Sequence, residues 1–313
     1  MAGLAWSVPS KRDGLNNTLR ARATALSAIV LWGISFVATK AALREISPVA
    51  LIFIRFALGT ALLETMVSLR GGGWLPPRDA WPALALMGLV GIFIHQMLQA
   101  FGLALTTAVH TGWLIGLTPI WSAALSAMLL KERFGAMKLA GLLGGFAGAM
   151  LVVSRGKLSH ETLQLPATRG DFLILLSTIN WAVYSVLGHA TIKRLGPTRA
   201  AAGAMLFGWL MLAPLFLVNR AWRELANLSP TGWSAVLFLG LGCSGLGYLC
   251  WYGALERIEA ARVAAFLYLE PFVTFFAAVI LLNEQVTATT LIGGLLVLLS
   301  VFVMQRAPGT SDV

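Results

Sequence analysis

Charge is what this chain has least of. Only 12% of its 313 residues are Asp, Glu, Lys or Arg, against about 25% in soluble domains. That shortage excludes a soluble enzyme with a polar coat. Acid is the scarcer sign, with 13 Asp plus Glu against 23 Lys plus Arg. Cysteine is nearly absent: Cys243 and Cys250 are the only two. Two turns of one expected helix hold them roughly 10 Å apart. A disulfide needs Cα atoms within about 7 Å, so they read as small apolar packing residues. The chain has no His-Glu-x-x-His zinc site and no Gly-x-x-x-x-Gly-Lys phosphate loop,. No apolar run carries an arginine ladder of the voltage-sensor kind. The lack of a nucleotide motif or a soluble domain argues against an ATP-driven pump, and no enzyme chemistry, cofactor or metal is expected. Met1 to Arg22 is polar and basic, with no short apolar core ending in a small-residue cleavage site, so no signal peptide is expected. Its composition predicts a disordered tail.

What is abundant is apolar surface. The chain is 58% hydrophobic, with a mean hydropathy of +0.80. About 20 apolar residues span a bilayer. Ten runs approach that length: 24–43, 48–69, 82–104, 107–130, 136–154, 171–190, 198–218, 232–254, 262–282 and 288–305. The reading is an all-α integral membrane protein of ten transmembrane helices. The net charge of +10 follows the helix ends. With the N-terminus in the cytosol, fifteen Lys and Arg lie inside and seven outside. That fits the positive-inside rule with both termini cytoplasmic, and it argues for a lipid bilayer and against nucleic acid as the partner.

One spacing occurs twice. Pro119 precedes Glu132 by thirteen residues, Pro271 precedes Glu284 by thirteen, and Gly141 and Gly293 follow nine later, a constant shift of 152. The match marks an internal duplication. Trp32 to Phe36 answers loosely to Trp181 to Ser185, and Phe101 to Leu105 to Tyr252 to Glu256. Each copy holds five spans. Five is odd, so the copies enter the membrane from opposite sides, as two inverted five-helix repeats with a site between them. The expected organisation is a cytoplasmic N-terminal tail at 1–23, a first repeat at 24–154 and an extracytoplasmic connection at 155–170. A second repeat at 171–305 and a C-terminal tail at 306–313 follow.

These residues carry a resemblance. Trp32-Gly33-x-x-Phe36-x-x-x-Lys40, Pro48, Arg55, the paired Pro-to-Glu elements and the glycine-rich fifth spans of each copy resemble the drug/metabolite transporter superfamily. Within it they look like EamA-type permeases with two EamA repeats. The stretch from Cys250-Trp251-Tyr252-Gly253 to Glu270-Pro271 agrees. The resemblance covers about residues 24–305. It implies a ten-helix bundle carrying small organic solutes, often outward, with amino acids among the cargo of known members. It also implies a bacterial inner membrane.

Polar groups in hydrocarbon are costly unless paired or facing water, so helical spacing nominates a cavity. Span one stacks Trp32, Phe36 and Lys40. Span three offers His95 and Gln99, span four His110 and Trp113, span six Asn180 and Tyr184, and span eight Tyr248 and Trp251. These are the candidate solute contacts; helix–helix hydrogen bonds and ordinary aromatic packing are the alternatives. Glu270, beside Pro271, is the proton-coupling candidate. Pro119 and Pro271 are candidate hinges. Arg55 is expected to pair with an acid such as Glu64 or Glu270, and Glu132 and Glu284 to sit at helix ends. The function expected is a secondary transporter of a small-molecule metabolite, working by alternating access. An importer or exchanger of the same fold, a membrane-embedded enzyme and a scaffold are the rivals. A monomer and a homodimer both fit the sequence.

Overall fold

The computed structural model describes residues 11–71, 73, 75–130, 135–155, 166–258, 263 and 265–305. Glu132, residues 156–165 of the expected connection and both chain ends lie outside the described residues. The helices are α1 (Lys11–Ala42), α2 (Pro48–Leu69), α3 (Trp81–Met87), α4 (His95–Leu105), α5 (Ala108–Ile115), α6 (Thr118–Leu130) and α7 (Ala136–Ser154). They continue with α8 (Pro166–Leu195), α9 (Pro197–Val218), α10 (Pro230–Leu237), α11 (Tyr248–Leu255), α12 (Glu270–Leu282) and α13 (Ala288–Gln305). The described residues contain no strand.

A π-helical stretch, Gly88–Ile94, joins α3 to α4 into one rod, and a second, Phe238–Gly247, joins α10 to α11. Seven described rods are long and apolar enough to cross a bilayer. Phe266–Leu282 and Ala288–Val303 are apolar but shorter. The expected fourth span is broken between α5 and α6. Pro119 lacks an N–H, and its ring opposes the carbonyl four residues back; the freed Ile115 carbonyl accepts instead from the Thr118 hydroxyl at 2.8 Å. Pro271 likewise sits in the first turn of α12, after a 3₁₀ turn at Ala265–Leu269. Neither proline kinks a continuous helix; each begins one. α1 starts at Lys11, upstream of the apolar run, because hydropathy marks where hydrocarbon begins and not where backbone hydrogen bonding does.

Packing repeats itself when the two halves are exchanged. α2 packs on α9, α5 on α12 and α7 on α13. α1 lies against α11, its π stretch and α12, while α8 lies against α4, its π stretch, α5 and α6. The α7–α13 contact is backbone to backbone. A Cβ on Gly148 would meet the Gly293 carbonyl oxygen at 2.7 Å, and one on Gly293 the Gly148 oxygen at 2.8 Å. Their outward faces expose Leu143, Phe146, Ile292 and Leu299, as a lipid-facing surface requires.

Candidate functional site

A cavity of about 100 Å³ lies where α1, α2, α4, α6, α8 and α12 converge. Trp32, Ser35 and Phe36 of α1, Arg55 of α2, and His95, Gln96 and Gln99 of α4 line one side. Thr118 and Pro119 of α6, Ser177 and Trp181 of α8, Tyr248 of α11, and Tyr268, Glu270 and Pro271 before and within α12 close the rest. Of the residues nominated from sequence, Trp32, Phe36, His95, Gln99, Tyr248, Glu270, Pro119 and Pro271 are brought together here.

His95 and Tyr248 are each the first α-helical residue after a π stretch. A π turn shifts the residues after it around the helix, and such turns recur at functional sites. The His95 ring packs at a tilt against Trp181, with centroids 4.8 Å apart. Its Nδ1 lies 3.1 Å from the Ser177 carbonyl. A carbonyl only accepts, so Nδ1 carries the proton and a neutral ring keeps Nε2 as an acceptor. Trp32 meets Tyr248 edge-on at 5.5 Å and donates its indole N–H to the Cys243 carbonyl at 3.1 Å.

The cavity's charges are opposite and separate. Arg55 is buried, donates from Nε to the Ser244 hydroxyl at 2.8 Å, and lies over the Phe56 ring. The expected pairing with Glu64 or Glu270 does not occur: among the described residues no carboxylate reaches it. The reason is placement, since Arg55 and Glu270 approach from different walls. Glu270 is buried, and no described side chain or backbone N–H bonds its carboxylate. Both groups line the same space, so water or a solute is left to answer them.

Six nominated residues, His110 among them, stand outside that wall. Lys40 donates to the backbone carbonyls of Leu103 at 2.7 Å and Thr106 at 2.5 Å, capping the end of α4. Asn180 donates its amide to the Val90 carbonyl, 2.7 Å away in the first π stretch. Tyr184 packs on Gly91 and Trp181. Trp113 is fully buried against Gly294, Phe272 and Phe275, with no partner for its indole N–H among the described residues. Trp251 packs behind Trp32 at 5.3 Å. Glu284 is a helix-end residue: its carboxylate accepts the N–H groups of Ala108 and Val109 at the start of α5, both at 2.9 Å.

Asp171 escaped the sequence reading. It is fully buried and accepts from the Thr106 hydroxyl and from His110 Nδ1 at 3.0 Å. The signal was available as an acid opening the sixth apolar run opposite a histidine opening the fourth.

Comparison with known proteins gives a consistent picture. The model of the EamA-like transporter family matches the chain twice, over residues 20–154 and 168–306. An uncharacterized transporter of Archaeoglobus fulgidus is 31% identical over 88% of this chain and 93% of its own length. A probable terminal-alkyne amino-acid exporter of Streptantibioticus cattleyicolor is 26% identical, over 89% and 91%. A solved crystal structure superposes with a TM-score of 0.64 at 22% identity, covering 92% of this chain and 99% of that one, a likeness of fold.

Proposed function

The chain belongs to the EamA-like transporter family, and from that premise we propose that it is a secondary carrier exporting amino acids or related zwitterions by alternating access. It is a multi-pass membrane transporter and not an enzyme. The finer reading takes ten spans, counting the broken α5–α6 pair and the shorter α12 and α13, in two inverted halves with cytoplasmic termini in a bacterial inner membrane. The exchange symmetry of the packing supports the halves, and the Lys and Arg distribution supports the orientation.

One observation carries the solute class: Arg55 and Glu270 face one cavity without pairing. Buried, unpaired charges cost several kcal/mol each. A solute with a carboxylate for the guanidinium and an ammonium for the carboxylate removes both penalties. The aromatic wall of Trp32, Trp181 and Tyr248 suits an apolar side chain. The name of the S. cattleyicolor relative points the same way. Glu270, emptied of solute, is the group to carry a returning proton, and Pro119 and Pro271 are the places where the halves flex.

The test is counterflow in proteoliposomes preloaded with pooled unlabelled amino acids, following a labelled trace. Protein-dependent accumulation is expected, and none with any solute class from folded protein overturns the reading. Arg55→Gln is expected to raise KM about tenfold or more, the cost of one hydrogen bond to a charged group. Glu270→Gln is expected to lose dependence on a proton gradient; full dependence sinks the coupling role.

A further inference from the structure

One end of the bundle carries the end of α1, the turn between α4 and α5, and the starts of α8 and α13. We infer that this distal end is a gate, and that a polar belt centred on Thr106 holds it shut. Thr106 is the node. Its carbonyl accepts from Lys40 of α1, and its hydroxyl donates to Asp171 of α8. Asp171 also takes His110 Nδ1 of α5 and lies 3.5 Å from Arg155 at the end of α7. His110 Nε2 lies 3.4 Å from the Thr290 hydroxyl of α13. The belt therefore ties Lys40, Thr106, His110 and Arg155 of the first half to Asp171 and Thr290 of the second.

A second cavity, of about 10 Å³, sits between the belt and the solute cavity. It shares Ser35, Arg55 and Gln99 with the larger one and ends at Thr39 and Leu103. Leu103 is the residue whose carbonyl Lys40 holds. Roughly 10–15 Å³ on this measure admits one water, so no organic solute passes in this conformation. The two spaces share lining residues, and the one nearer the belt is the smaller. Beside Thr106, α4 and α8 meet backbone to backbone: a Cβ on Gly170 would lie 2.6 Å from the Gly102 oxygen. Any rocking of the halves that widens the smaller space must break the belt. Its links are hydrogen bonds, each exchangeable for water once the end opens, which is what a reversible closure between two discrete packings needs.

The gate rests on the carrier reading, and its test needs no solute. A Ser35→Cys reporter, with Cys243 and Cys250 changed to alanine, is placed in sealed vesicles. A membrane-impermeant maleimide is applied from the side that labels Asn227→Cys, an exposed position in the distal connection after α9. Thr106→Val and Lys40→Met remove belt links from two different elements. Each is expected to raise the labelling rate of the reporter thiol about fivefold or more, the shift that one lost hydrogen bond gives a two-state equilibrium. An unchanged or lowered rate in the variants that fold overturns the gate. Should both fail to fold, Thr290→Val is read by the same criterion. Absence of counterflow in the unmodified protein removes the carrier reading, and an unresponsive reporter with intact counterflow removes only the gate.

Discussion

Two polar residues of similar chemistry, Gln99 and Asn180, have different duties. Asn180 spends its amide on the Val90 carbonyl, which also takes the His95 backbone N–H. Gln99 lines both cavities and has no described hydrogen-bond partner of its own. Asn180→Leu is therefore expected to lower the thermal midpoint in detergent, since it removes a helix–helix hydrogen bond worth about 0.5–1.5 kcal/mol. Gln99→Leu is expected to leave the midpoint within a degree or so and to impair counterflow. The reverse pattern would exchange their roles. Spacing showed that both face inward, but it could not show which had already been claimed by a neighbouring helix. The same holds for Trp113: its face was legible, yet Gly294 supplies the gap it fills.

At the scale of the element, proline and glycine carry most of the information. The repeated Pro-to-Glu spacing located two helix starts at equivalent places, though as beginnings and not as kinks. The π stretches left no mark in hydropathy, because one extra residue in a turn changes hydrogen-bond register without changing composition. The glycine-rich runs of α7 and α13 pack against each other, and at Gly148 and Gly293 their backbones leave no room for a Cβ. Gly293→Leu must push Cβ into the Gly148 carbonyl and is expected to destabilise the folded protein by about 1–3 kcal/mol, the usual cost of overpacking. Thermal unfolding of the purified variant checks this; an unshifted midpoint would mean that α7 and α13 separate freely.

Across the whole molecule, the distal connections are tied by reciprocal caps. Glu224 accepts the Ser47 N–H at 2.5 Å and its hydroxyl at 2.9 Å. Glu45 accepts the Ser229 N–H and hydroxyl, both at 2.8 Å. Ser47 caps α2 and Ser229 caps α10, so each carboxylate joins a helix start to a distant loop. Those bonds, the Ser229 backbone N–H first, hold Glu45 below the usual carboxylate range. A depressed pKa gives stability that is full above the unfolded-state value and is lost as pH falls through the folded-state value. The gap in thermal midpoint between the native protein and Glu45→Gln is thus expected at pH 7 and to close below about pH 4. A gap independent of pH would show that the carboxylate charge contributes nothing to the tie.

Composition, periodicity and the repeated spacing by themselves determined the solvent this chain lives in, its duplication and the inward faces of its helices. These are local or statistical properties: apolar residues must face lipid, and a 3.6-residue repeat puts fixed positions on one side. Only the tertiary structure decided which inward groups remain free. Arg55 and Glu270 stay apart, Lys40 and Asn180 are consumed by backbone carbonyls, and Thr106 gathers residues from both halves around Asp171. Each outcome depends on the crossing of helices more than sixty residues apart in sequence. A hydrogen bond acts over about 3 Å, and that distance is set by packing the whole bundle.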